Sequence, residues 1–174
     1  QRSILNKTVH NLGGSTAFVR VELAEMFPEA DGELREVALE GQDMAHRALI
    51  ATPSRLIIPA NGRQRVRLLW RGEREVERYF RVRLVPVLPE EGDDFALSGE
   101  EAKTYREQVE AGVNLLQGIG AIVLASPTHT RYAARVEQRP GAFLVRNEGN
   151  ATVALEAFKD CDATGRQCVD AVYH

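Results

Sequence analysis

Two cysteines are the residues best placed for covalent chemistry. Cys161 and Cys168 lie seven positions apart and enclose the segment DATGRQ. Asp, Thr and Gly in that segment suit a tight turn, and two strands flanking the turn could bring the sulfurs into disulfide range. The spacing therefore favours a disulfide and an oxidising compartment. A pair of reduced thiols and half of a metal site remain alternatives, although further metal ligands nearby are limited to Asp160, Asp162 and His174.

The other reactive side chains form no catalytic arrangement in the sequence. The four histidines are scattered, and none lies within metal-ligand spacing of another. The sequence contains no nucleophile elbow, phosphate-binding loop or dinucleotide fingerprint. Ser126 and His129 are close in sequence, but nothing places an acid beside them. We predict that the protein is not an enzyme and uses no cofactor and no metal.

Two arginines could bind an anion. Arg81 and Arg83 alternate along the predicted strand Arg78–Val87, so their side chains share one face. In one interpretation they are solvated, outward residues in ion pairs. In the other they form a cationic anchor, because a desolvated guanidinium can hold a chain-end carboxylate through two parallel hydrogen bonds.

Composition narrows the class of protein. The chain has 174 residues, 44% of them hydrophobic, and a net charge of −3 with both signs interspersed. That balance gives no reason to expect a nucleic-acid partner. The longest uninterrupted apolar run, Ala121–Ala125, has five residues, far from the roughly 18–20 that span a membrane, so no membrane insertion is expected. Strand-like sequence at both ends leads us to expect further residues before Gln1 and after His174.

Alternating apolar residues must position these groups. Ala17, Val19, Val21 and Leu23 share one face of a half-buried strand. Similar strands recur with turn signals every 8–15 residues, which is typical of all-β immunoglobulin-like (Ig-like) sandwiches. The segment Ser98–Glu110 carries a capping-box pattern, but its apolar content is thin and we interpret it as a mobile loop.

The uncharged segment Gly112–Pro127 is predicted to be one long strand around which the chain is organised. Such a strand is an aggregation hazard unless it is covered. It is either a central strand of its own protein or, in its first half, an edge offered to another chain. One face carries Val113, Leu115, Gln117, Ile119, Ala121, Val123 and Ala125, and the other carries Leu116, Ile122 and Leu124.

The hydrophobic periodicity starts afresh after Pro127, so we predict a domain boundary there. The first domain would comprise residues 1–127, including the strand 112–127. The second would comprise residues 128–174 and has too few strands for a complete sandwich.

The order of the segments resembles the periplasmic chaperones of the chaperone–usher pilus pathway, closest to the branch that serves common-pilus and colonisation-factor-type fimbriae. No single motif is specific, but the resemblance rests on six in order over nearly the whole chain. They are Thr52-Pro53 with Leu56–Ala60, Arg65–Leu68, Tyr79–Val82, Ile119–Pro127, Asn147–Asn150, and the pair Cys161 and Cys168.

The resemblance implies two Ig-like domains set at an angle and a periplasmic location. It implies capture of pilin subunits by donor-strand complementation, in which the chaperone lends a strand to an incomplete subunit, and delivery to an outer-membrane usher. The implied donated residues are Val113, Leu115, Gln117 and Ile119. Ala121, Val123 and Ala125 continue the same face and are expected to lie in the protein's own core. Because the donor edge would be exposed in the free protein, self-association through it is also expected.

One departure concerns the anchor for the subunit's C-terminal carboxylate. Well-known members of the family hold this carboxylate with a lysine in the later part of the donor strand. The corresponding position here is Ile122, and the segment 112–127 contains no lysine. Arg81 is therefore our candidate anchor, with Arg83 second.

Two rival functions remain at this point. One is a structural or adhesive Ig-like module of a surface or pilus protein, which would use the strand 112–127 as interior core. The other is a sugar-binding accessory domain of an enzyme, which ranks lower because such domains present exposed aromatic residues and only 6% of this chain is aromatic.

Overall fold

The structure is a computed structural model that describes residues 4–90, 92–93, 95, 97–111, 118–140, 142–156, 159–162 and 164–170. Within these ranges the chain forms two compact units, residues 1–128 and 129–174. The helix, α1, spans Gly99–Ala111. In chain order the strands are β1 (Ile4–His10), β2 (Ala17–Pro28), β3 (Leu34–Ala38), β4 (Leu49–Thr52), β5 (Arg55–Ile58), β6 (Arg63–Trp70), β7 (Arg78–Pro86), β8 (Ile119–Ala125), β9 (Ala134–Arg139), β10 (Ala142–Asn147), β11 (Lys159–Cys161) and β12 (Cys168–Asp170).

The first unit is a sandwich of two antiparallel sheets, which confirms the predicted fold class. One sheet has three strands in the order β1-β6-β4. The other has five, in the order β3-β2-β7-β8, with β5 pairing with the start of β2 on the same side as β3. In the described part of the chain, β1 and β8 are therefore edge strands of different sheets.

The core lies between the two sheets. Val19, Val21 and Leu23 of β2 are buried there, as their alternation predicts. They meet Val66 and Leu68 from the facing sheet. Such interdigitating inner faces are the usual source of stability in a β-sandwich.

An ion pair closes one end of this core. The Arg78 guanidinium donates two hydrogen bonds of 2.6 Å to the carboxylate of Glu25, whose residue is only 7% exposed. Arg78 also lies 5.5 Å from the ring centroids of both Trp70 and Phe80. The pair thus joins β2 and β7 of one sheet to a tryptophan of the other.

Helix α1 corrects our prediction of a mobile loop. Its first turn has the capping box: the Glu101 N–H donates to Ser98 Oγ, and the Ser98 N–H donates to the Glu101 carboxylate. That second hydrogen bond is the main reason that the pKa of Glu101 is lowered. Ala102 is buried, so one turn of the helix packs against the sandwich despite its polar sequence.

An aromatic cluster holds α1 in place. The ring of Tyr105 lies 4.7 Å from the ring of Phe18, and Phe95 contacts Phe18 from 5.4 Å, both edge to face. The Tyr105 hydroxyl donates a 2.7 Å hydrogen bond to the Thr16 carbonyl. Burial raises the pKa of Tyr105, so the hydroxyl keeps its proton and remains a donor.

The second unit contains two antiparallel hairpins, β9–β10 and β11–β12. Cys161 and Cys168 are directly paired across β11 and β12 and form a disulfide. This confirms the predicted disulfide and rejects the alternatives of reduced thiols and half of a metal site. The Asp162 carboxylate accepts hydrogen bonds from the N–H groups of Arg166 and Gln167, which closes the turn between the cysteines.

Candidate functional site: the free edge of strand β8

Strand β8 presents an unpaired edge in the part of the chain that the structure describes. It pairs with β7 from Ile119 opposite Leu84 to Ala125 opposite Arg78, and no described strand covers its other side. The sequence IGAIVLA contains no charge. An uncharged edge with free backbone donors and acceptors is a template for pairing with another chain.

The side chains of β8 are unusually exposed for an apolar strand. Ile119 is 63% exposed, Ile122 50% and Leu124 45%. Of the residues that we expected in the core of this protein, Ala125 is buried and Val123 half-buried, but Ala121 is exposed. The prediction for Ala121 is wrong because the edge position leaves the inner side of β8 open to solvent.

The second half of the predicted donor strand coincides with β8, and residues 112–117 lie outside the described residues. We predicted one strand over residues 112–127, and the strand found is Ile119–Ala125. Of the predicted donated residues, Ile119 is the first residue of β8. Val113, Leu115 and Gln117 lie outside the described residues.

Arg81 and Arg83 share the outer face of β7, as predicted, and converge on one carboxylate. Arg81 Nε lies 2.9 Å from Glu36 Oε1, and Arg83 Nη2 lies 2.5 Å from Glu36 Oε2. The hydrogen bond from Arg83, followed by that from Arg81, lowers the pKa of Glu36. Two cations around one anion leave a net charge of about +1 at neutral pH.

Arg81 and Arg83 lie on the strand next to β8, whereas Glu36 is on β3 on the far side of β2. Arg81 is directly opposite Ile122 in the β7–β8 register, and Arg83 is opposite Gly120. A Cβ atom at Gly120 would lie 3.9 Å from Arg81 Cδ, in ordinary van der Waals contact, so the arginine stem runs close to β8. Arg81 thus stands next to the position at which the resembled family carries its lysine.

Lys7, on the edge strand β1, is a charged residue that we did not identify from the sequence. It lies in the middle of β1, opposite the buried Val66 of β6, so it occupies the core-facing side of that strand. Within the described residues Lys7 has no ion-pair partner. The sequence ILNKTVH could have indicated this role, because it places a lysine in the middle of a strand. A lysine at an inward position of an edge strand blocks pairing with other chains.

The described residues contain no group of three or more histidine, cysteine or acidic side chains arranged to hold a metal ion. They also include no helix with the length and hydropathy needed to cross a membrane.

No protein-family model matches this chain, and no curated protein sequence matches it. Solved structures do match. The class 5 fimbriae chaperone CfaA aligns with a TM-score of 0.63 at 15% identity, over 98% of this chain and 72% of that chain. A chain of the chaperone–tip adhesin complex of CFA/I fimbriae biogenesis aligns with a TM-score of 0.59 at 16% identity, with the same coverage.

A third similar structure is the CsuC–CsuE chaperone–tip adhesion subunit pre-assembly complex from archaic chaperone-usher Csu pili of Acinetobacter baumannii. It aligns with a TM-score of 0.52 at 11% identity, over 85% of this chain and 70% of that chain. At these identities the matches establish the fold of this chain, which is that of fimbrial chaperones.

Proposed function

We propose that the protein is a periplasmic chaperone that binds, folds and caps fimbrial subunits by donor-strand complementation. The observation that carries this proposal is the uncharged, exposed edge of β8 on a sandwich with the fold of fimbrial chaperones. An ordinary sandwich protein would cover or charge such an edge. A chaperone that lends a strand needs it open.

Donor-strand complementation would use two properties of this edge. A subunit with an incomplete Ig-like fold has an open groove in its core, and a strand placed in that groove gains backbone hydrogen bonds along its length. Alternate apolar side chains then fill the groove. We assign this role to Val113, Leu115, Gln117 and Ile119, and burying each large aliphatic side chain contributes about 1.5–3 kcal/mol.

Arg81 is the proposed anchor for the C-terminal carboxylate of the subunit, and Arg83 is the second candidate. Glu36 already binds both guanidinium groups, but the cluster retains a net positive charge and further N–H donors. A subunit with an amidated C-terminus should therefore bind about tenfold more weakly to the wild type, and Arg81→Ala should remove that difference. Equal binding of the free and amidated subunits to the wild type would refute the anchor.

Two further partners follow from the same edge. We propose delivery of the captured subunit to an outer-membrane usher, with release when the extension of another subunit displaces the donor strand. In the absence of subunit, the protein is proposed to self-associate through the donor strand. Sedimentation over a range of concentrations tests this second point, and a monomer at every concentration would contradict it.

The decisive experiment is co-expression in a bacterial periplasm with the fimbrial subunits encoded beside its gene, followed by pull-down. We expect a stable one-to-one complex that is lost in Leu115→Asp. Leu116→Asp is the matched control, because alternation places Leu116 on the opposite face of the donor segment, where it should be tolerated.

Two outcomes would count against the proposal. If the well-folded protein bound none of these subunits, a structural or adhesive module would become the better interpretation. If Leu115→Asp retained the subunit at wild-type yield, the assignment of the donated face would be wrong.

A further inference from the structure

A cavity opens at the end of the sandwich where β8 begins. It has a volume of about 360 Å³, and both sheets, the loop after β1 and helix α1 contribute to its lining. The apolar part of the lining includes Val9, Val19, Ile58, Leu84, Tyr105 and Ile119. The cavity therefore connects the β1 edge, through Val9, with the β8 edge, through Ile119.

The cavity is formed without any partner. Its floor includes Ile58, 1% exposed, and Val19, 6% exposed, both part of the core. Its helical wall is fixed because the Tyr105 hydroxyl donates to the Thr16 carbonyl and the Tyr105 ring packs on Phe18. A site whose walls are already ordered loses little conformational entropy when something enters it.

The polar lining includes His10, the last residue of β1, and residues of the loop that follows it, where the Asn11 side chain already has its hydrogen-bond partners. The Asn11 amide donates to the carbonyls of Ser15, Ile58 and Pro59 at 2.7, 3.0 and 3.0 Å, and its side-chain oxygen accepts the Gly13 N–H. Because these hydrogen bonds hold the loop, what the cavity offers to an incoming group is mainly apolar contact.

The register of β8 indicates which side chain of a paired strand would enter the cavity. Ile119, Val19 and Leu84 lie on the core-facing side of their sheet, since Val19 and Leu84 belong to or pack on the core and Ile119 is opposite Leu84. Directly paired residues of neighbouring strands point to the same face. A strand added to the free edge of β8 would therefore direct the side chain opposite Ile119 toward this cavity.

We propose that the cavity is a receptor pocket for one large apolar side chain of the fimbrial subunit, carried by the strand that pairs with β8. This inference rests on the proposed function. In donor-strand complementation, chaperone side chains enter the subunit; here, in addition, a subunit side chain would enter the chaperone. The volume is at the lower end of the range of about 300–1,000 Å³ that is usual for ligand pockets, which suits one aromatic or branched aliphatic group. Burying a charged group against this mainly apolar lining would cost free energy, so such a group is disfavoured.

Filling the cavity from inside tests the pocket. Ala17 lines the cavity on β2, and Ala17→Leu places a larger side chain in it without altering the β8 edge. We expect subunit affinity to fall about tenfold to a hundredfold. Ala38→Leu is the control, since Ala38 is exposed on β3 and does not line the cavity; its affinity and the thermal unfolding of both variants should match the wild type.

The outcomes separate the two proposals. If the wild type binds the subunit and Ala17→Leu binds equally well, the receptor pocket is refuted while the chaperone function stands. If the wild type binds no fimbrial subunit, the proposed function itself fails, and the pocket fails with it.

Binding of a small apolar molecule tests the pocket directly. This test remains available if Ala17→Leu folds poorly. Apolar cavities bind small apolar molecules such as benzene. We expect toluene to shift the methyl NMR signals of Val9, Leu84 and Ile119 in the free wild-type protein, and subunit binding to abolish these shifts. No shift in the free protein, or shifts that persist unchanged in the complex, would overturn the inference.

Discussion

Two edge strands of the sandwich, β1 and β8, differ in whether they prevent pairing with another chain. Strand β1 carries Lys7 at its centre on the core-facing side, with polar neighbours along ILNKTVH. Strand β8 carries no charge and exposes Ile119, Ile122 and Leu124. A lysine that would have to be buried when another strand pairs with the edge is a common guard against aggregation.

Both edges expose apolar side chains, so what distinguishes β8 from β1 is the absence of a charged residue. One sheet of the same domain has a guarded edge, so the chain is able to provide a guard where pairing is unwanted. The absence of a guard on β8 is therefore expected to serve pairing with a partner.

The largest loss of subunit affinity is expected when β8 is given a lysine on its core-facing side, as β1 has in Lys7. Ala121 is exposed on the core-facing side of β8, and Ala121→Lys would force a charge into any strand-paired interface. We expect subunit affinity, measured by isothermal titration calorimetry, to fall by at least about a hundredfold. Ala38→Lys, on the outer face of β3, controls for added charge, and an unchanged affinity for Ala121→Lys would contradict the assignment of β8 as the pairing edge.

A smaller effect is expected when the guard on β1 is removed. Lys7→Ile leaves Ile4 and Leu5, both already exposed, beside a new apolar residue. Self-association should then occur at a concentration lower by a factor of about 1.4 to 5, because a cross-strand apolar pair contributes roughly 0.2–1 kcal/mol. Sedimentation velocity compares this variant with Lys7→Arg, which keeps the charge. Identical behaviour of the two variants would mean that Lys7 is not a guard.

The smallest effect concerns the ion pairs between β7 and β3 on the outer face of the five-stranded sheet. The pKa of Glu36 is lowered by Arg83 and Arg81, so this carboxylate stabilises the fold above the pKa it has in the unfolded chain. That contribution is lost as the pH falls through the lowered pKa of the folded state. Because the cluster is partly solvated, Glu36→Gln should cost no more than about 1 kcal/mol at neutral pH, or about 2–4 °C in Tm.

Thermal unfolding as a function of pH checks this prediction. The Tm difference between the wild type and Glu36→Gln should be present at neutral pH and vanish in acid. A difference that stays constant from neutral to strongly acidic pH would show that the charge of Glu36 is not what stabilises this side of the sandwich.

Much of the sandwich is predictable because its signals are local. The alternation of Val19, Val21 and Leu23 defines a buried face within one strand, and the turn residues between Cys161 and Cys168 define a hairpin that a disulfide can close. These patterns need no knowledge of what lies across the sheet.

Helix α1 was not predictable in the same way. Its capping box is visible in the sequence, but its few apolar residues predict no stable packing. The contacts that hold it are distant in sequence: Tyr105 bonds to Thr16, 89 residues earlier, and packs on Phe18. Tertiary contacts of this kind decide whether a polar helix forms, and no local pattern announces them.

In the candidate site, too, local features were predictable and long-range contacts were not. The shared face of Arg81 and Arg83 follows from alternation and is present in the structure. The partner of both, Glu36, lies on a different strand, 45 residues before Arg81, and only the sheet order brings them together. For the same reason the sequence did not single out Lys7, whose position opposite Val66 depends on the β1–β6 register.

The buried pair of Glu25 and Arg78 makes the two ends of the sandwich mechanically unequal. At that end, charge-assisted hydrogen bonds join β2 to β7, and the Arg78 guanidinium and the Phe80 ring both contact Trp70 of the facing sheet. At the opposite end, a cavity lies between the sheets beside Leu84 and Ile119. Thermal opening should therefore begin at the cavity end, so amide hydrogens near Leu84 should exchange with solvent before those near Phe80 on the same strand.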